Sequence, residues 1–174
     1  MINRMQNQSY LLILILFCAL ALSACGFQPL YGRGSAAQDQ TVKAQLSSIQ
    51  INTIQNREGQ FLRNKLIDRL HIDGYPQNPR YILELTTIDT EKDRLDITKS
   101  ANTTRLQVRL RTKMKLIDAE TEQVLITQRL TAVNSYNVLE SQFTTRVSER
   151  NAIDNALRDL AEQAERHLAL YFKK

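Results

Sequence analysis

Thiols and imidazoles are scarce in this sequence, with two cysteines and two histidines among 174 residues. Catalytic signatures are missing as well. There is no Gly-rich phosphate loop, no nucleophile elbow and no HExxH pattern. The serines are scattered, with no histidine and aspartate arranged to activate one. His71 follows the end of a helical pattern beside a turn, and His167 falls in the last turns of another, so a structural role or a favourable C-terminal charge accounts for each. Asp118 and Glu120 sit together in a turn, where solvation explains them. These absences argue against an enzyme. Internal repeats and a second domain are lacking too. The apolar run Leu11 to Leu22 has only twelve residues, short of the roughly 20 that span a bilayer.

That run has another reading. Arg4 precedes it without any acid, and Leu22-Ser23-Ala24-Cys25-Gly26 closes it. A basic start, a short apolar core and small residues ending in cysteine resemble a bacterial lipoprotein signal. An ordinary secretory signal would also cleave near here, but it has no use for a cysteine at this position. The expectation is that residues 1–24 are removed and that Cys25 carries a diacylglycerol and an N-acyl chain. Residues 25–45 are then a lipidated N-terminus and tether, and residues 46–174 a single α/β domain. By the same resemblance, Gly26 in place of aspartate implies passage to the outer membrane, facing the periplasm. Removing 24 of 174 residues leaves 150, which suits one core. Cys18 departs with the signal and Cys25 is committed to lipid, so no disulfide can form within the mature chain, although the compartment permits them. With only His71 and His167 left as soft or imidazole ligands, no metal is expected. The mature part keeps 22 of 23 basic residues and all 18 acids, a net charge of +4. A basic chain ordinarily raises nucleic acid as partner. In the periplasm, anionic glycolipid or a membrane surface takes its place.

Gly32 to Gln45 is polar and small, as a tether should be. A strand follows around Ser47 to Ile54, where Ile49 and Ile51 alternate with polar residues. Asn56 is placed to cap a helix whose first turn carries Glu58, and Leu62, Leu66 and Leu70 recur every four residues along it. Asp73-Gly74, Pro76 and Pro79 end that helix. A second strand is expected from about Arg80 to Asp89, then a charged stretch through Lys99, then a third strand from about Thr104 to Ile117. Asp118 to Glu122 reads as a longer hairpin turn before a fourth strand, about Gln123 to Ser135. A long helix starts between Ser141 and Ser148 and ends at Phe172, with Ile153, Leu157, Leu160, Ala164, Leu168 and Tyr171 on one stripe. The order β-α-β-β-β-α, with two single-faced helices, implies an α+β two-layer sandwich. Its sheet is about four-stranded and mostly antiparallel, and both helices lie on one face.

The third strand carries the sharpest signal. Leu106, Val108, Leu110, Thr112, Met114 and Leu116 form one face, and Arg105, Gln107, Arg109, Arg111, Lys113 and Lys115 the other. Same-face neighbours stand about 7 Å apart, within the Debye length of about 8 Å. They repel by about half a kcal/mol per pair even at water's dielectric. Cross-strand carboxylates could neutralise the row, but the flanking strands as read offer few: Glu84 on the second, and no acid on the fourth between Gln123 and Ser135. A row of cations short of counter-charges favours an external anion, and phosphate suits arginine forks and lysine point charges. Arg105, Arg109, Arg111, Lys113 and Lys115 are therefore candidate binding residues, with a solvated or salt-bridged face as the other reading.

Cys25-Gly26-Phe27-Gln28-Pro29-Leu30-Tyr31-Gly32 resembles the mature N-terminus of the lipopolysaccharide-assembly lipoproteins of the LptE type, in their alphaproteobacterial form. Further segments are similar in type and order: Arg57-Glu58-Gly59-Gln60 with Leu62-Arg63-Asn64, Tyr81 to Leu85, Ser135-Tyr136-Asn137-Val138-Leu139, and Asn151-Ala152. The resemblance implies a two-layer α/β domain that plugs and stabilises a large outer-membrane β-barrel of the LptD type. It also implies binding of lipopolysaccharide, whose phosphates and carboxylates a cationic strand could hold, and its delivery to the outer leaflet. Only Cys25 is carried over by motif; the five cations rest on strand parity. The alternative is an independent envelope lipoprotein that binds anionic glycolipid or serves a structural role.

Overall fold

A single strand organises the molecule. The computed structural model describes residues 36–72, 74–95 and 104–173. Within it, the alternating segment forms the 15-residue strand β4, Thr104–Asp118. In chain order the elements are α1 (Ala36–Ser47), β1 (Ile49–Ile51), α2 (Asn56–Leu70), β2 (Tyr81–Leu85), β3 (Asp89–Leu95), β4, β5 (Val124–Val138) and α3 (Gln142–Phe172). Cys25, the lipid expected on it and the expected signal segment lie outside the described residues.

On one edge of β4, β2 pairs antiparallel with Met114–Asp118 and β3 pairs antiparallel with Arg105–Arg111. Along the other edge runs β5, from Thr104↔Val138 to Ile117↔Val124. β1 joins β2 in parallel through Ile49↔Tyr81. The result is a five-stranded mixed sheet under an α+β architecture. It differs from the four-stranded reading by β3, which occupies part of the stretch read only as charged. A second difference is α1, which is helical over Ala36–Ser47 where the sequence reads as a polar tether; Leu46 is buried and Val42 packs on the core.

In the middle of β4 the even-numbered residues Val108, Leu110, Thr112, Met114 and Leu116 are buried and turn toward the helices. From α2 they meet Leu62, Leu66 and Leu70, and from α3 Leu157, Leu160 and Leu168. Ala152, Ala156, Ala161 and Ala164 are buried along α3, and small side chains let a helix approach a sheet closely. The two helices run parallel, because their contacts advance in step. The Arg158 guanidinium lies 5.8 Å from the Phe61 ring centre, and Arg69 reaches Glu165 at 2.6 Å and Glu162 at 3.4 Å.

The start of α2 corrects the expected cap. Gln55 is the N-cap and makes no side-chain cap bond, while Asn56 takes φ +70°, a region asparagine tolerates. What holds this end is close packing at Gly59. A Cβ built there would lie 2.6 Å from Ile54 Cγ2 and 3.0 Å from the Ile54 carbonyl carbon. By contrast, α3 begins as read, with Ser141 Oγ accepting from the Thr144 N–H.

Side chains satisfy main-chain groups at the sheet's outer strands. The carbonyls of Ile49 and Ile51 face away from β2, since Ser48 and Asn52 make the bonds to the Arg80–Leu83 segment. His71 Nε2–H donates to Ile49 O at 2.7 Å, and Arg63 Nε and Tyr75 Oη donate to Ile51 O at 3.3 and 3.4 Å. His71 is buried, so its role is structural: it ties the end of α2 to β1. Along β5, Gln163 Nε2 donates to Thr131 O at 3.0 Å and Asn134 Oδ1 accepts from the Ser135 N–H at 2.8 Å.

The β4–β5 connection turns on Asp118, whose Oδ1 accepts from the N–H groups of Thr121 (2.9 Å) and Glu120 (3.0 Å) and from Thr121 Oγ1 (3.1 Å). Glu122 follows at φ +58°. The hydrogen bonds, led by that of the Thr121 amide, hold the Asp118 carboxyl below the usual carboxylate range.

Two predictions follow from this geometry. Gly59→Ala gains up to about 1 kcal/mol of helix propensity but overpacks Ile54 at a cost of about 1–3 kcal/mol. Thermal denaturation should therefore show a lower Tm, and an unchanged or higher Tm would contradict the contact. For Asp118 the folded carboxyl titrates below the unfolded one, so its stabilisation is present above the unfolded pKa and is lost as pH falls through the folded pKa. Asp118→Asn keeps the Oδ1 acceptor and removes the titration. Melting curves from pH 6 down to about 2 should fall more steeply for the parent protein than for the variant.

Candidate anion-binding face

Because β4 alternates strictly as far as Leu116, burial of its apolar row sends the odd-numbered side chains from Arg105 to Lys115 to the opposite face, on which neither α2 nor α3 packs. Arg105, Gln107, Arg109, Arg111, Lys113 and Lys115 stand there in line. The expectation that few acids flank them is overturned by β3. In its register Asp89 faces Arg111, Glu91 faces Arg109 and Asp93 faces Gln107. Arg109 Nη1 lies 3.2 Å from Glu91 Oε2 and 3.4 Å from Asp93 Oδ2; Arg111 reaches the same Glu91 oxygen at 2.8 Å and Asp89 Oδ2 at 3.7 Å. A two-residue alternation of charge across adjacent strands is the physical reason. The same strand points Lys92 to the other face, where it bonds Glu149 of α3 and is held above its usual pKa chiefly by that bond.

The row therefore divides. Arg109 and Arg111 are neutralised, and Arg105 donates through Nε and Nη2 to Ser135 Oγ at 3.0 and 2.7 Å. Lys113 and Lys115 have no ion-pair partner among the described residues. A third such cation joins them, because the β4–β5 register places Arg129 opposite Lys113. Beside them lies a cavity of about 220 Å³ lined by Asn52, Thr53, Glu84, Leu85, Thr86, Lys113 and Lys115. Its one acid, Glu84, is opposite Lys115 and accepts from Asn52 Nδ2 at 3.4 Å.

Thr86 fixes the geometry of this corner. β2 and β3 are separated by Thr86–Ile88, and there Thr112 Oγ1 donates to Thr86 O (2.8 Å), the Lys113 N–H donates to Thr86 Oγ1 (3.0 Å) and the Thr86 N–H donates to Lys113 O (3.0 Å). Lys113 thus projects from a main chain pinned on both sides. The corner offers three unpaired cations, hydroxyls and an amide, a donor set suited to phosphate or carboxylate groups. Among the described residues no cluster of three metal-ligating side chains occurs, and no helix is long and apolar enough to cross a membrane.

Arg129 is absent from the candidates read in the sequence. The signal was present in the hairpin, since a turn over Asp118–Glu122 sets which β5 residue stands beside each lysine. The ion pairs also make a prediction. Glu91→Gln should delay elution from a cation-exchange column more than Glu120→Gln, an equal loss of one charge in the β4–β5 turn, because Arg109 and Arg111 lose their shared carboxylate. The Tm should move little, since exposed pairs contribute about 0–1 kcal/mol. Equal retention of the two variants would mean that the two arginines are not compensated by Glu91.

Residues 46–168 match the family model described as LptE, lipopolysaccharide-assembly. An uncharacterised protein of Rickettsia prowazekii (strain Madrid E) is 26% identical over 165 residues, covering 94% of this chain and 98% of that protein. In fold, the chain is similar to a protein of Caulobacter crescentus CB15 provisionally assigned as a lipoprotein, with TM-score 0.62, 20% identity, and 78% of this chain and 97% of that one covered. It is also similar to a minor lipoprotein of Acinetobacter baumannii, with TM-score 0.57, 20% identity, and coverage of 70% and 90%.

Proposed function

Because the chain belongs to the LptE lipopolysaccharide-assembly family, we propose that it is a lipid-anchored subunit of the outer-membrane lipopolysaccharide translocon. In this reading it plugs and stabilises a partner β-barrel of the LptD type and holds lipopolysaccharide on its way to the outer leaflet. Its role is to bind and position, without catalysis. Cys25 carries the acyl chains that tether it facing the periplasm; two or more chains are what make such anchoring firm.

The observation that supports a direct contact with lipopolysaccharide is the unpaired group Lys113, Lys115 and Arg129 beside the Thr86 corner. Phosphates of the glycolipid can take several charge-assisted hydrogen bonds there, each worth about 1.5–3 kcal/mol. Arg109 and Arg111 belong instead to the strand-pairing charge pattern, and reversing them would set glutamates against Asp89, Glu91 and Asp93. Compared with the five-residue row read in the sequence, the proposed ligand site is shifted toward Lys113 and Lys115 and includes Arg129.

Mass spectrometry of a mild-detergent pull-down of the full chain tests the reading. A large β-barrel, bound lipopolysaccharide and an acylated Cys25 are expected together; recovery as a lone lipoprotein would count against the translocon role. In the combined variant Lys113→Glu, Lys115→Glu, Arg129→Glu, bound lipopolysaccharide should drop about tenfold or more while the barrel still co-purifies. Loss of the barrel with lipopolysaccharide retained would instead make this face a protein contact.

A further inference from the structure

The buried stripe of α3 does not stop where its partners stop. Leu168, Ala164, Ala161 and Leu157 are buried, and the same four-three spacing continues through Asp154, Arg150 and Val147 to Phe143. At this end the stripe leaves the core: Val147 is 43% and Phe143 77% exposed. The tip is not frayed. Ser141 caps it, and Thr145 Oγ1 accepts from the Leu139 N–H at 2.9 Å and donates to Leu139 O at 3.1 Å. A helix held this firmly keeps a phenylalanine and a valine in water.

Next to the exposed stripe, the first turns of α2 and α3 enclose a cleft of about 230 Å³. Its walls include Arg57, Arg146 and Arg150, and Phe61, Ile153 and Leu157 supply its apolar lining. None of the three arginines has an ion-pair partner among the described residues. Three acids also line the cleft; Glu149 is held by Lys92, leaving Glu58 and Asp154. The first turn of α3 contains no acid at all, so the positive end of a 31-residue helix is uncompensated where Phe143 emerges.

We propose that this tip is a docking site for a polypeptide segment of a partner protein, one that carries acidic residues around an apolar side chain. The apolar side chain would enter the cleft against Phe61 and Leu157, and the acids would meet Arg146, Arg150 and Arg57. Two features favour a polypeptide over an anionic lipid. The exposed apolar residues form a ridge at helical spacing, which a facing backbone can straddle, and the cleft holds one or two side chains, not an acyl chain. This site is separate from the Lys113 corner and does not require the barrel reading, since any envelope protein with such a segment fits it.

Site-specific photocrosslinking in cells expressing the full chain tests the proposal, with p-benzoylphenylalanine at Phe143 or Val147 and at Ile72 as an exposed control. The expected result is a crosslink from the tip positions, absent from Ile72, to a peptide with clustered aspartate or glutamate. Its yield should fall about tenfold or more in Arg146→Glu, Arg150→Glu, where like charges oppose each other. It should return when the acids of the crosslinked segment are changed to lysine. An exposed-site Phe143→Ser variant with a normal melting curve should lose partner association in pull-downs. Crosslinks to glycolipid, to a second copy of this chain, or to a segment without acids would overturn the proposal. Yields unchanged by charge reversal, or no tip-specific crosslink at all, would do the same. The pull-down reports the barrel independently, so failure of one reading is distinguishable from failure of the other.

Discussion

A shift of β4 by one residue would carry three arginines and two lysines beneath the helices and turn Val108, Leu110, Met114 and Leu116 toward water. Burying unpaired charge is far costlier than any strand pairing can repay, so the parity of this strand is the constraint from which the other elements take their places. It determines which face α2 and α3 cover and which side of β5 bears Leu130 and Ala132. It also places the cations in line on the other side, where the strand's neighbours or a ligand must answer them.

The neighbours answer only half. β3 is a strand with little apolar reason to exist: Asp89, Glu91 and Asp93 look to the cationic face, and Lys92 looks to Glu149. It is held as much by charge register as by packing, and it ends at Asp89 in register with Arg111. Beyond that point the Thr86 corner interrupts the ladder and no carboxylate strand lies beside Lys113. Compensation and its absence thus sit on one strand within a few residues of each other.

Much of this was legible in the sequence because it is periodic. The alternation of β4, the Leu62–Leu66–Leu70 stripe and the long C-terminal helix announce themselves through apolar periods of two or 3.6, and the Asp118 turn through its polar residues between two such strands. What was not legible lacks that signal. β3 alternates charge with charge, so nothing in Asp89–Leu95 distinguishes it from a solvated loop until Arg109 and Arg111 stand beside it. α1 is polar along most of its length and declares only Leu46 and Val42. Asn56 looked like a cap, but the approach of Gly59 to Ile54 turns the chain differently there. Arg129 carries no signal of its own in the sequence, because its meaning depends on a register that pairs it with Lys113.

The capped carbonyls of β1 and the side-chain bonds along β5 bear on how this molecule can be recognised. A sheet with open rims invites a visitor to add a strand, and such binding is written in main-chain amides that are largely blind to sequence. Here His71, Arg63 and Tyr75 at one rim, and Gln163 and Asn134 at the other, already occupy groups that a visiting strand would need. Along these stretches of β1 and β5 recognition is left to faces and tips, where side chains do the reading. Association of that kind is specific, responsive to ionic strength, and open to revision by single substitutions on either side.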